Sequence, residues 1–190
     1  SLKGINAATY EDAFDFAVQI MKNVAGRTQF LLESRNLSDF DKSEYKKLLD
    51  SRMSKAVFCS GLKILSELLE KHYGTKVILL IDEYDVPLAK AFENGYYDQM
   101  VFLIRNLLEQ ALKTNNSLKF AVMTGCMRIS KESIFTGLNN FTTFTITDVD
   151  FDEYFGFTDQ EVCDLLTYYE CTDKYGSIKE WYDGYRFGNV

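Results

Sequence analysis

Apolar side chains recur at helical spacing from Thr9 to Val24 (Tyr10, Ala13, Phe14, Ala17, Val18, Met21, Val24), which predicts a first amphipathic helix capped by Thr9. The polar stretch from Glu33 to Ser43 reads as a loop that re-enters a short helix near Tyr45 to Leu49. From Met53 to Leu69 apolar residues cover so wide an arc that the helix is expected to pack firmly on a sheet, ending at Tyr73 and Gly74. The run Lys76–Ile81 is then continuously apolar after its lysine and closes on Asp82-Glu83. Apolarity without alternation predicts a central parallel strand covered on both faces. Tyr96 to Leu112 is again amphipathic, and Lys119 to Thr124 is a second apolar strand. A third strand is expected at Thr142–Thr147, where β-branched and aromatic residues crowd together. Alternating helices and strands in this order predict an α/β fold with a parallel sheet.

After Asp148 the pattern changes. Thr158-Asp159-Gln160-Glu161 is a capping box that opens a helix through Val162, Leu165, Leu166 and Tyr169. Ser177 to Glu180 opens a shorter one, with Gly184 as its stop. The expected organisation is a core over 1–150 and a small helical appendage over 151–190. The single proline, Pro87, is expected to stiffen the loop after the acidic cluster.

Composition narrows the classes. Of 190 residues, 46% are hydrophobic and 26% charged, the proportions of a globular protein. No apolar run reaches the roughly 20 residues a bilayer-spanning helix needs, and the first residues carry no secretory pattern. The formal net charge is −7 with scattered basic residues, which argues against direct nucleic-acid binding. Cys59, Cys126, Cys163 and Cys171 show no CxxC spacing, so no zinc cage is expected. Cys59 and Cys126 read as buried thiols of a reducing, cytoplasmic setting. His72 is the sole histidine and lies at a helix end, which gives a serine–histidine hydrolase little support.

The candidate chemistry sits at the strand ends. Val77-Ile78-Leu79-Leu80-Ile81-Asp82-Glu83 has the form of a Walker B strand. There one carboxylate, Asp82, holds Mg²⁺ and the next, Glu83, polarises the attacking water. Taken alone, an apolar run ending in two acids is also simply the start of a solvated loop. Thr124 ends the following strand, where a polar side chain can sense a γ-phosphate. Arg128, four residues on, is placed either as a surface residue or to stabilise transferring charge.

Four stretches carry a family resemblance: Leu80-Ile81-Asp82-Glu83-Tyr84-Asp85-Val86-Pro87, Thr124-Gly125-Cys126-Met127-Arg128-Ile129-Ser130, Phe135-Thr136-Gly137-Leu138-Asn139-Asn140, and Trp181-Tyr182-Asp183-Gly184-Tyr185-Arg186-Phe187-Gly188. In these the chain resembles the AAA-ATPase-like family of bacterial proteins, which are often joined to a C-terminal nuclease-like domain of the PD-(D/E)XK type. The resemblance implies a three-layer α/β/α P-loop NTPase fold, ATP with Mg²⁺, and Walker B roles for Asp82 and Glu83. It implies sensor-like roles for Thr124 and Arg128.

One departure is large. The sequence holds no Gly-rich loop ending in Gly-Lys-Ser/Thr, and Gly61-Leu62-Lys63 lies within a helical pattern. The expectation is therefore a P-loop sheet incomplete at its N-terminus, inactive alone for want of the Walker A loop. Two other classes compete with this reading. One is a non-catalytic binding module with the same fold. The other is a metal-dependent nuclease using Asp82, Glu83 and Asp85 as ligands.

Overall fold

The helices start where side chains can satisfy their first amide groups. The computed structural model describes residues 1–126, 134, 141–151, 154 and 156–182. Helix α1 runs Tyr10–Gly26, with the Thr9 hydroxyl accepting from the Asp12 amide. A 3₁₀ turn, Gln29–Glu33, leads to α2 (Asp39–Lys47). Helix α3 (Lys55–Tyr73) opens on the Ser54 hydroxyl and closes on Gly74, whose φ of 70° is the left-handed conformation a helix end favours.

Strand β1 (Val77–Ile81) comes next, then α4 (Val86–Glu93), α5 (Tyr97–Leu108), a π turn over Glu109–Lys113 and β2 (Leu118–Met123). Helix α6 (Asp159–Tyr168), a 3₁₀ turn at Thr172–Lys174 and α7 (Tyr175–Tyr182) complete the described elements. The chain is thus mixed α/β, with seven α-helices and a two-stranded parallel sheet among the described residues. It divides into two compact units, 1–139 and 140–190.

In the first unit the core lies where α5 meets α3 and α4. Met100, Leu103, Ile104, Leu107 and Leu108 of α5 and Phe58, Leu65 and Leu68 of α3 are all buried. Helix α3 and the turn after α5 also reach the sheet. The strands pair in register from Ile78 opposite Phe120 to Ile81 opposite Met123, with one irregularity between Val77 and Ile78.

Several expectations need correction. The segment expected as a loop to Ser43 is helical from Asp39, because Ser38 and Asp41 form a reciprocal capping box. The strand expected to be covered on both faces is open on one. Val77, Leu79 and Ile81 are shielded, whereas Leu80 is 75% exposed and Ile78, Phe120 and Val122 share its face, each nearly half exposed. The described helices of this unit pack against one side of the sheet only. No strand forms at Thr142–Thr147, all of which are described. The Asp148 carboxylate accepts from both the amide and the hydroxyl of Thr145, and this local turn competes with extension. Pro87 lies in the first turn of α4, where its missing N–H costs nothing. Cys126 is exposed, though Cys59 is partly covered, and all four thiols are free.

In the second unit α6 opens on the Thr158–Glu161 capping box, as the pattern predicts. Helix α7 starts at Tyr175, two residues before the expected Ser177, because a 3₁₀ turn feeds directly into it. The Tyr175 hydroxyl donates to Asp159 over 2.8 Å and ties the start of α7 to that of α6. The expected stop at Gly184 lies outside the described residues.

Asp41 anchors the first unit through three partners. It accepts from Lys71 at 2.6 Å and from the amide and hydroxyl of Ser38. Chiefly through Lys71, and against the opposing effect of burial, its carboxyl is held below the ordinary aspartate range. A group with a depressed folded pKa stabilises above its unfolded pKa and loses that contribution as pH falls through the folded one. Asp41→Asn is therefore expected to be less stable than the parent at pH 7 by about 1 kcal/mol, the scale of a lost cap. The deficit should shrink below pH ~4. Urea titrations at the two pH values check both statements, and a deficit that grows on acidification would contradict the assignment.

Candidate functional site

Parallel pairing places the C-terminal ends of β1 and β2 side by side, so the residues just past one strand must meet those just past the other. Thr124 continues the ladder: its amide donates to the Ile81 carbonyl at 2.9 Å, and its carbonyl accepts from the Tyr84 amide at 3.2 Å. Its hydroxyl donates to Asp82 Oδ1 at 2.5 Å. Two residues separated by 42 positions are thus joined directly by their side chains. That bond, partly offset by desolvation and aided by Ser1, holds the exposed Asp82 carboxyl below its ordinary range.

Glu83 turns the chain away from the strand with φ of 54°, in the left-handed region. For a residue with a side chain this conformation costs of order 1–3 kcal/mol and is held only by its surroundings. Glu83 Oε2 accepts from the Ser1 hydroxyl at 2.9 Å, and Lys3 Nζ stands 3.8 Å from Oε1. The Leu2 amide donates to the Asp82 carbonyl at 2.9 Å, so residues 1–3 flank the acidic pair. Tyr96 holds the same segment farther along by donating to the Ala7 carbonyl at 2.7 Å.

Asp85 occupies the N-cap position of α4 yet does not cap it with its side chain. It is buried, 3% exposed, and its Oδ2 accepts from the Cys126 amide at 3.0 Å. Of the residues named from the sequence, Asp82, Glu83 and Thr124 therefore lie together at one end of the sheet. Arg128 lies outside the described residues, as do Phe135–Asn140 and the stretch from Asp183 to Gly188. No three carboxylate, thiol or imidazole groups converge on a common point among the described residues. Ser1, Lys3 and Gly125 were not read as site residues from the sequence. Nothing in their own spacing marks them, although a glycine immediately past a strand is a usable sign of close backbone approach.

A family model described as a predicted AAA-ATPase matches residues 13–135, more than half of the chain. The chain belongs to the AAA-ATPase-like family. The matched span of this AAA-ATPase-like chain takes in Asp82, Glu83 and Thr124 at the strand ends and, along the sequence, Arg128. The chain is also 27% identical over 123 residues to a protein of Azotobacter chroococcum mcd 1 described as an uncharacterized protein in the vnfD 5′ region. That alignment covers 60% of this chain and 22% of the relative, so the chain matches about a fifth of that protein's length. No solved structure matches the chain. No helix among the described residues is long and apolar enough to cross a membrane.

At the strand ends of this AAA-ATPase-like chain, Asp82 is a residue that could supply one oxygen ligand to Mg²⁺. Mg²⁺ takes oxygen ligands and commonly keeps several waters while using one or two carboxylates. Asp82 offers an exposed carboxylate held ionised, with a hydroxyl beside it.

Proposed function

We propose that this chain is the Walker B and sensor half of an ATP-binding and ATP-hydrolysing domain with a three-layer P-loop architecture. The observation that carries the reading is the Thr124–Asp82 hydrogen bond across the C-terminal ends of two adjacent parallel strands. Ligands of open α/β sheets sit outside such strand ends.

Asp82 would hold Mg²⁺, which when bound with nucleotide neutralises phosphate charge. Glu83, whose carboxylate meets Ser1 and Lys3, would polarise a water. Thr124 donates to Asp82 and would sense a γ-phosphate. Arg128 is assigned the role of stabilising charge during transfer. The open face of Ile78, Leu80, Phe120 and Val122 agrees with a sheet that has further layers to acquire. We place the phosphate-cradling Gly-Lys-Ser/Thr loop in a segment of the parent protein outside this sequence. A nuclease-like domain joined after residue 190 is part of the same proposal.

Without a backbone nest and its lysine, the 190-residue chain by itself should bind ATP more weakly than about 1 mM, or roughly −4 kcal/mol. Titration calorimetry with Mg²⁺ present tests this, and micromolar binding would show that the phosphates are held in some other way.

A further inference from the structure

An aspartate at a helix N-cap ordinarily turns its carboxylate onto the first amides of its own helix. Asp85 does otherwise: its side chain makes no capping bond to α4 and accepts instead from the amide of Cys126, 41 residues away. A buried carboxylate must find donors within the protein, because leaving it unsatisfied costs more than any local cap supplies. Its direction is therefore set by the turn that follows β2.

That turn is shaped to receive it. A Cβ added at Gly125 would lie 2.6 Å from Asp85 Oδ1 and 2.8 Å from Tyr84 Cε1. Any side chain at position 125 would push the carboxylate and the ring off the backbone. Gly125 thus lets the loop after β1 and the turn after β2 close on each other. Immediately before this contact, the Tyr84 amide bonds to the Thr124 carbonyl and the Thr124 amide to the Ile81 carbonyl. Thr124 is held between the last rung of the sheet on one side and the Asp85–Cys126 bond on the other.

We infer that Asp85 is a positioning residue, which latches the Gly125–Cys126 turn to the start of α4 and so sets the Thr124 hydroxyl against Asp82. The latch makes Asp85 a structural clamp on the site and not a member of its ligand set. Its relevance to catalysis rests on the Walker B reading above, whereas the latch itself needs no nucleotide.

Amide hydrogen exchange of the 190-residue chain, followed by NMR, tests it. Rates at Tyr84, Thr124 and Cys126 are taken relative to amides within β1 and β2, which removes any overall loss of stability. In Asp85→Ala the three relative rates should rise about tenfold or more, the scale of a lost hydrogen bond to a charged group. Gly125→Ala, which retains the Asp85 residue but displaces its carboxylate, should give the same pattern. Asp85→Asn keeps one acceptor oxygen and should stay within about threefold of the parent. Should Asp85→Ala not fold, the contrast between Gly125→Ala and Asp85→Asn decides. Relative rates at Thr124 and Tyr84 that do not move in either alanine variant would overturn the proposal, as would an equal loss across both strands. Failure of the ATPase reading would leave these exchange rates untouched and would appear only in turnover.

Discussion

Replacing Glu83 by Gln is expected to lower ATP turnover about 100-fold or more in a protein that joins this domain to its phosphate-cradling loop. The figure is the usual scale for removing a positioned general base. Gln keeps the length and shape of Glu83 and can still accept from the Ser1 hydroxyl, so the strained backbone at this position retains its support. What it loses is the charge that draws a proton from water. Nucleotide affinity should therefore stay within about threefold, because an interaction made only in the transition state affects turnover and not ground-state binding. Phosphate release and calorimetry on the same pair of proteins separate the two quantities. Equal turnover in the variant would remove Glu83 from the mechanism and leave Asp82 and Thr124 as a structural pair.

The second large effect concerns the fold. Ile104 is fully buried on α5, among Met100, Leu103 and Leu108, which are as deeply enclosed. Ile104→Ala removes three carbons from a close-packed site that helices α3 and α4 prevent from collapsing. The cost combines lost transfer energy with a residual cavity, about 2–5 kcal/mol for such a truncation. That is a large share of the roughly 5–15 kcal/mol by which domains are stable. Denaturant unfolding should show a lower midpoint with an unchanged slope. A loss below about 0.5 kcal/mol, typical of surface positions, would mean that α5 is not the centre of the core.

Core and site were legible in the sequence to different degrees. The burial of α5 follows from periodicity alone, since Met100, Ile104, Leu107 and Leu108 fall on one helical face and all are buried. Thr9 and Thr158 mark helix starts because each cap is a contact between residues three positions apart, and Ser54 caps α3 in the same way although the apolar pattern starts that helix at Met53. Ser38 does the same, but its partner is Asp41 where Glu or Gln is more usual, and α2 begins earlier than the pattern suggests. Thr142–Thr147 has the composition of a strand, yet a strand exists only with a neighbour to pair with. Here Asp148 captures the Thr145 amide.

By itself, then, the sequence determined α1, α3, α5, α6 and α7, the two parallel strands and the placement of Asp82 and Glu83 at the end of β1, whereas α4 stands where only a loop stiffened by Pro87 was expected. It also carried the family, through motifs whose order survives without coordinates. These are properties of neighbours along the chain, where spacing and side-chain type decide the outcome. Only the tertiary structure decided that Thr124 bonds to Asp82, that Asp85 turns from its own helix to Cys126, and that residues 1–3 flank Glu83. It also decided which face of the apolar strands is covered, because alternate residues of Val77–Ile81 are chemically alike and only the helices packed on one side distinguish them. Hydrogen bonds and packing between residues some forty to eighty positions apart depend on the direction of backbone and side chain in space. No local pattern records that direction.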